Sequence, residues 1–179
     1  SLDIHCIELL ADKGDFRMQF AAGRYYQVAL RKPDYRRSAL WYEKSAVGGS
    51  GKAAYNLAVQ YYKGNGVEVD FDKYAYWVER SAEKGHAVGQ YNLGLMYSKG
   101  QGKRNDTKKA LYWYLRSSQQ GFTKAQLALG VEMLDGGIDT QENRKVARFW
   151  LSVAASNGNV DAKKLLEDAF RDVEFYWVM

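Results

Sequence analysis

A tryptophan returns at nearly constant spacing through this chain of 179 residues. Trp41, Trp77, Trp113 and Trp150 are 36, 36 and 37 residues apart. Each begins a related phrase, such as Trp-Val-Glu-Arg-Ser-Ala-Glu-Lys-Gly and Trp-Tyr-Leu-Arg-Ser-Ser-Gln-Gln-Gly for the second and third of them. A fixed period of this length is typical of stacked repeats, in which each unit buries its apolar face only against its neighbours. The chain is therefore predicted to be a single repeat array.

The repeating unit is clearest in its third copy, where glycines separate two helical patterns. Gly85 ends the previous helix, and small or apolar residues then recur at helical spacing over about residues 87–98. Gly-Gln-Gly at 100–102 ends this first helix, and Asp106 is placed to cap the second one. Each unit is therefore predicted to be an antiparallel helix hairpin. Small residues would let its two helices approach closely, and Trp and Tyr would fill the space between hairpins.

The same order of glycines, apolar stripes and capping residues recurs along the chain and divides it into units. Asp70 falls where Asp106 does, and Pro33 followed by Asp34 suits the start of the corresponding helix in the first copy. The predicted units are residues 14–48, 49–84, 85–120 and 121–157, preceded by an N-terminal helix at 1–13 and followed by a C-terminal capping helix with an apolar tail at 158–179. The apolar stripe expected for the N-terminal helix consists of Leu2, Cys6, Leu9 and Leu10.

The overall composition excludes several classes of protein. The chain has a net charge of +5, which mildly favours an acidic partner and is too small to indicate nucleic acid without a concentrated patch. Its lone cysteine, Cys6, excludes an internal disulfide. It has no apolar run of about 18 residues, so no transmembrane helix is expected.

The few chemically reactive side chains do not form a catalytic or metal-binding pattern. His5 adjoins Cys6, but neighbours in a helix point about 100° apart, so they cannot act as a nucleophile and its base from one face. His86 follows a helix-ending glycine at a turn position expected to face solvent. The loop at 100–103 lacks the spacing of a phosphate-binding motif, and no preceding strand is predicted. No catalytic residue, cofactor or metal ion is therefore expected.

The third copy carries a motif specific enough to compare with known repeats. It is Gly85-x3-Gly89-x-Tyr91-Asn92-Leu93-Gly94-x2-Tyr97-x2-Gly100-x-Gly102, then Asp106-x2-Lys109-Ala110-x2-Trp113-Tyr114. This pattern resembles the Sel1-like repeat, a relative of the tetratricopeptide repeat, over roughly residues 11–170. The resemblance implies a right-handed α-solenoid of antiparallel helix hairpins, with four repeats and N- and C-terminal capping helices. It also implies a non-enzymatic module that binds another protein or a peptide in a concave groove.

The resemblance carries expectations about the biological role as well. Bacterial members are often exported, and some act as adaptors in envelope or secretion systems. Others resemble immunity proteins that neutralise effector toxins delivered between competing bacteria. The resemblance therefore suggests an immunity protein, with an envelope or secretion-system adaptor as the alternative, and a periplasmic location, with the cytoplasm as the alternative. A secreted subfamily ties each hairpin with paired cysteines, and the lone Cys6 argues against that subfamily.

Candidate partner contacts are the non-core positions of the first helices, because those helices line the groove in related solenoids. Aromatic and apolar side chains with a few cations are typical of a protein interface. Groove and core are both open for the first column of positions, whereas the second and third columns favour the groove. The four columns are Phe20, Tyr55, Tyr91 and Leu127; Arg24, Val59, Leu95 and Val131; Gln27, Tyr62, Ser98 and Leu134; and Arg17, Lys52, Val88 and Lys124.

Two further features leave alternatives open. Pairs of basic residues near the loops would form a ridge for an anionic polymer, although a solvated face is the simpler interpretation and nucleic acid is not the expected partner. The apolar tail over residues 175–179 would fold over the last hairpin, mediate self-association or belong to the partner site. The basic pairs are Arg31-Lys32, Arg36-Arg37, Lys103-Arg104 and Lys108-Lys109.

Overall fold

The described part of the protein, residues 3–135 and 140–170 of a computed structural model, is built from helices alone. It contains ten α-helices and one short π-helical turn, and no strand occurs in these two ranges. The helices are α1 (Ile4–Asp12), α2 (Phe16–Arg24), α3 (Tyr35–Val47), α4 (Gly51–Lys63), α5 (Phe71–Glu83), α6 (Ala87–Lys99), α7 (Thr107–Ser118), α8 (Thr123–Asp135), α9 (Gln141–Ser156) and α10 (Val160–Phe170), with the π-helical turn at Tyr25–Ala29.

Successive helices pack as hairpins, and successive hairpins pack on each other. The hairpins pair α2 with α3, α4 with α5, α6 with α7 and α8 with α9, and each second helix also contacts the first helix of the following hairpin. Helix α4 contacts both α2 and α6, so the first helices lie side by side. Helices α1 and α10 pack against the two ends of the array. The predicted all-helical solenoid is therefore confirmed.

Each second helix begins at a side-chain cap, as the spacing of the aspartates predicted. Asp70 and Asp106 accept hydrogen bonds from the backbone N–H groups of Lys73 and Lys109, at 2.9 and 3.0 Å. Asp34 does the same in the first hairpin, and Thr140 caps α9. These caps satisfy N–H groups that have no partner within the helix. A cap typically contributes about 1 kcal/mol, so the four of them define where the second helices start.

The two helices of a hairpin meet where a small residue faces a large one. A Cβ added to Gly94 would lie 2.6 Å from a ring carbon of Tyr114, and one added to Gly130 would lie 2.5 Å from Leu151. Gly23 stands in the same relation to the ring of Tyr42, again at 2.6 Å. Such distances are well inside van der Waals contact, so glycine at these positions permits the close approach that the sequence predicted. The second hairpin carries Ala58 and Val78 at the equivalent places, a larger residue facing a smaller one.

Three buried serines tie successive elements together through their hydroxyl groups. Ser45, Ser81 and Ser117 donate hydrogen bonds of 2.7 Å to the backbone carbonyls of Phe16, Gly51 and Ala87, respectively. Each acceptor is the first residue of a first helix, and its carbonyl oxygen can accept the serine as well as a helical N–H because it has two lone pairs. The serines are 36 residues apart, so the same bond is repeated along the array. A buried serine can occupy this position because its hydroxyl has a fixed partner.

Three of the four periodic tryptophans, Trp77, Trp113 and Trp150, pack in apolar clusters shared by neighbouring repeats. Trp77 is 8% exposed and belongs to the largest apolar cluster. Trp113 packs against that same cluster, which is formed by residues of the first three repeats. Trp150 packs against the cluster of Ala110, Tyr114 and Leu129, which joins the third and fourth repeats. These contacts support the prediction that the tryptophans join one hairpin to the next.

The predicted apolar stripe of the N-terminal helix is wrong. Cys6, Leu9 and Leu10 are exposed, whereas Ala11 is buried and Ile4 and Ile7 are partly buried; Leu2 lies outside the described residues. Helix α1 packs mainly against α2, with Glu8 accepting from Tyr26 and Asp12 pairing with Lys44, so much of its surface is left uncovered. The short helix is apolar on more than one side, and its apolar pattern therefore does not determine which side packs.

The buried tyrosine Tyr114 should make stability depend on alkaline pH. Burial raises the pKa of its phenol to about 12, and the side chain is 2% exposed. An unfolded tyrosine ionises near pH 10, so the stabilisation is complete below pH 10 and is lost as the pH rises to about 12. At pH 11 this residue alone should lower the free energy of unfolding by about 1.4 kcal/mol relative to pH 8.

Urea unfolding of the wild type and of Tyr114→Phe at both pH values measures this contribution. The variant should lose about 1.4 kcal/mol less than the wild type between the two pH values, because phenylalanine has no ionisable group. Equal losses in the two proteins would contradict the assignment.

Candidate partner-binding surface

Most of the candidate contacts lie on α2, α4, α6 and α8. Polar side chains determine where two of these helices begin. Asp15 caps α2 by accepting from the N–H groups of Arg17 and Met18, and Ser50 caps α4 by accepting from Ala53. We use the term first-helix surface for the side chains of α2, α4, α6 and α8 that do not pack into the hairpins. The corresponding side of α3, α5, α7 and α9 is the second-helix surface.

Fifteen of the sixteen predicted contact residues belong to α2, α4, α6 and α8, Gln27 belongs to the π-helical turn that follows α2, and none of the sixteen is buried. Their role in binding a partner stays a prediction. Five are exposed: Arg17, Arg24, Lys52, Tyr62 and Lys124. Eleven are partly buried: Phe20, Gln27, Tyr55, Val59, Val88, Tyr91, Leu95, Ser98, Leu127, Val131 and Leu134.

The first of the four columns serves partly as core. The rings of Phe20 and Tyr42 have centroids 5.8 Å apart, and Tyr91 stacks at 5.9 Å on Tyr114 and at 5.4 Å on Phe122. Leu127 packs against the apolar cluster of the last hairpin. These side chains therefore hold the first helices on the second ones and remain partly exposed, so the core interpretation applies to this column in part and its role in the groove stays a prediction.

Two members of the third column are occupied by internal hydrogen bonds. Gln27 accepts a 2.6 Å bond from the hydroxyl of Tyr42, and Ser98 donates a 2.8 Å bond to Glu132. Both side chains are therefore committed within the fold. Tyr62, by contrast, is 55% exposed and belongs to a cluster of aromatic rings.

This aromatic cluster opens a pocket between the second and third hairpins. The Tyr62 ring lies 5.8 Å from that of Phe71 and 5.3 Å from that of Tyr74, and Phe71 is 62% exposed. The pocket has a volume of about 520 Å³, which is within the range of small-ligand sites. Its lining is Tyr62, Phe71, Tyr74, Asn92, Leu95, Met96, Gln101 and Gly102.

Sequence analysis identified two of these lining residues, Tyr62 and Leu95, and missed Phe71, Tyr74 and Met96. Phe71 and Tyr74 belong to the first turn of a second helix, which the column pattern assigns to the other side of the array. They reach the first-helix surface because the first turn of α5 lies at the same end of the hairpin as the last turn of α4. An aromatic residue directly after the capping Asp70 is the signal that would have indicated this.

The titratable groups near this surface are perturbed by burial. Burial, and then the charge of Lys52, lowers the pKa of His86, and burial raises the pKa values of Tyr55 and Tyr74. His86 was expected to face solvent, but it is partly buried, with its ring 5.6 Å from that of Tyr55. It therefore serves as a packing residue beside the surface and is neutral at pH 7.

The described residues contain no cluster of side chains suited to binding a metal ion. No group of three or more His, Cys, Asp or Glu side chains in residues 3–135 and 140–170 could hold a metal ion. His5 and Cys6 are both exposed on α1. None of the helices in these ranges is long and apolar enough to cross a membrane. The apolar tail at 175–179 lies outside the described residues.

Solved structures of other proteins share this fold, and two of them match over more than nine-tenths of the chain. The chain superposes on the crystal structure of a protective antigen present in uropathogenic Escherichia coli strains, which displays an SLR fold. The TM-score is 0.82 at 26% sequence identity, over 94% of this chain and 37% of that chain. For a Sel1 repeat protein from Oxalobacter formigenes the TM-score is 0.76 at 30% identity, over 92% and 67% of the two chains. The chain thus spans little more than a third of the antigen's length.

Comparison at the level of sequence agrees with this structural similarity. A search of curated proteins finds no match. The family model of the Sel1 repeat, however, matches residues 17–50, 51–86, 87–122 and 123–159 in direct succession. Because these four matches cover most of the chain, and because its helices repeat as hairpins, the chain belongs to the Sel1 repeat family.

Proposed function

We propose that this protein is a non-enzymatic interaction module that binds a protein or peptide on its first-helix surface, with the pocket beside Tyr62 as the main contact. Sel1 repeat proteins are generally protein–protein interaction scaffolds, and that general role applies to this chain. The observation that supports the specific site is the exposure of two large aromatic side chains, Tyr62 and Phe71, at the mouth of an apolar pocket. Such anchors in pockets dominate binding at protein interfaces.

Two biological roles fit this proposal. As an immunity protein, the module would bind an antibacterial effector and neutralise it by covering its surface. As an adaptor, it would hold a component of the envelope or of a secretion system. A periplasmic location suits both roles, and cell fractionation tests it. The identity of the partner separates the roles, since a toxin indicates the first and an envelope component the second.

Charged substitutions at the pocket mouth test the proposal. In Tyr62→Glu/Phe71→Glu, two carboxylates enter an apolar contact, so the affinity for the partner should fall at least about tenfold. Both side chains are more than half exposed, so the fold should survive. The partner is first captured from a lysate of the native cell and identified by mass spectrometry. Its affinity is then measured by calorimetry with the purified proteins.

A matched control variant is available on the second-helix surface. Tyr76 and Tyr112 are 53% and 50% exposed, and Tyr76→Glu/Tyr112→Glu introduces the same charge in the same kind of side chain. This control should bind like the wild type. A partner that binds both variants equally well, or loses affinity for both equally, would refute the proposed site.

A further inference from the structure

The first helices of the first three repeats carry positive charge only. Helices α2, α4 and α6 contain five lysines and arginines and no aspartate or glutamate. Helix α8 adds Lys124 together with Glu132 and Asp135. The five cations of α2, α4 and α6 are all exposed: Arg17, Arg24, Lys52, Lys63 and Lys99. The first-helix surface of these three repeats is therefore more strongly basic than the net charge of the whole chain suggests.

These first-helix cations differ in their ion pairing from several cations of the second helices. On the second helices, Arg37, Lys73 and Lys109 each pair with the aspartate that caps their own helix, at 3.6, 3.8 and 4.0 Å. Within the described ranges, none of the five first-helix cations forms an ion pair with a carboxylate. Because α2, α4 and α6 also contain no acidic residue, their exposed side attracts acidic groups.

Two of the five cations are close in sequence to residues that line the pocket, since Lys63 follows Tyr62 and Lys99 lies between Met96 and Gln101. Lys52 and Lys63 stand near the two ends of α4, roughly 16 Å apart at 1.5 Å per residue, with Val59 between them. Lys99 ends α6 in the same way, beyond Leu95. The lining of the pocket itself contains no charged side chain. A ligand on this surface thus meets an apolar pocket bordered by positive charge.

We infer that the partner presents an acidic protein segment that places a bulky apolar side chain in the Tyr62 pocket and Asp or Glu side chains against the bordering lysines. This inference rests on the proposed function and adds the chemistry of the partner. A polyanion such as a nucleic acid or an acidic polysaccharide is a poorer fit. Its closely spaced charges would lie over a pocket with no cation in its lining and would leave the apolar contact unused.

Selection from a peptide library tests this chemistry. The probe is a displayed library of random peptides of about 12 residues, selected on the wild-type protein at low salt. We expect the selected peptides to be enriched in Asp and Glu together with Trp, Phe or Leu. Raising NaCl from about 0.05 M to about 0.5 M should weaken their binding about tenfold, because surface charges are screened. Selected peptides without acidic residues would overturn the inference.

Charge reversal tests the position of the contact. Lys63→Glu/Lys99→Glu should lower the affinity for the selected acidic peptides by about tenfold or more, because two attractions become repulsions. The control Arg36→Glu/Lys108→Glu makes the same change in net charge at exposed positions of the second helices and should bind like the wild type. Equal weakening by both variants would indicate a general effect of net charge and would refute the placement.

The pocket variant separates failure of the inference from failure of the proposed function. If Tyr62→Glu/Phe71→Glu loses binding to selected peptides that are not acidic, the binding surface stands and the inferred chemistry is wrong. If no selected peptide depends on this surface, both fail. Binding of a single-stranded DNA oligonucleotide that is equally tight in the pocket variant, and tighter than that of any selected peptide, would assign the cations to a polyanion and also overturn the inference.

Discussion

Replacement of Gly66 with alanine should destabilise the protein by about 3 kcal/mol, the largest effect that we expect from the loss of a single glycine. Gly66 has φ +73°, in the left-handed region, where a Cβ is strained. The added Cβ would also lie closer to the carbonyl group of Tyr35 than van der Waals contact allows, and 2.6 Å from the backbone nitrogen of Arg36. Backbone atoms at the start of α3 cannot move aside without displacing the first hairpin. Urea unfolding measures the loss.

Gly102 supplies a matched control for this prediction. It occupies the equivalent loop in the next repeat with φ +71°, so Gly102→Ala carries the same backbone strain. Its nearest neighbour would be the terminal methyl group of Met96 at 3.0 Å, which a flexible side chain can move. We expect a loss of only about 1 kcal/mol. Equal losses at the two sites would mean that strain alone matters and that the contact with Tyr35 does not.

Replacement of Gly94 with alanine should cost about 2 kcal/mol, although alanine is the better helix former. The change gains about 1 kcal/mol of helix propensity, and overpacking a filled core costs up to about 3 kcal/mol. Overpacking should prevail, because the new Cβ would lie 2.6 and 2.7 Å from two carbons of the Tyr114 ring and 3.2 Å from the carbonyl oxygen of Ala110. The ring is 2% exposed and has no empty space to enter.

A double-mutant cycle shows whether the Tyr114 ring is the cause. The second repeat has Ala58 and Val78 at these two positions, so Gly94→Ala/Tyr114→Val reproduces a pair that the chain already contains. The double variant should be at least about 1 kcal/mol more stable than the sum of the two single changes predicts. Additive losses would show that Gly94 is required for a reason other than the neighbouring ring.

The repeated positions are the part of this protein that sequence analysis predicted well. Asp70 and Asp106 were predicted as caps and are caps. The helical glycines were predicted to allow close approach, and Gly94 does so against Tyr114. These predictions succeed because a residue type that recurs every 36 residues has the same local task in each copy, so one copy explains the others.

Positions that occur once were harder to predict. The π-helical turn at Tyr25–Ala29 has no counterpart among the described residues of the other repeats, although its Tyr26 carbonyl still accepts from the N–H of Asp34 at 2.9 Å. The packed side of α1 was predicted wrongly, because a terminal helix has one neighbour and an ambiguous apolar pattern. Phe71 was missed as a pocket residue because its column lies on the other side of the array.

By itself, the sequence determined the architecture: four hairpins, their caps and the small residues at which their helices meet. Those features are local or repeated, so periodicity and helix chemistry are enough to predict them. Only the tertiary structure decided which side chains gather at the candidate site. Tyr62, Phe71 and Leu95 come from three different helices, and their meeting depends on where α4 ends against α5 and α6. That the five cations of α2, α4 and α6 have no carboxylate partner among the described residues likewise emerges only from the tertiary structure.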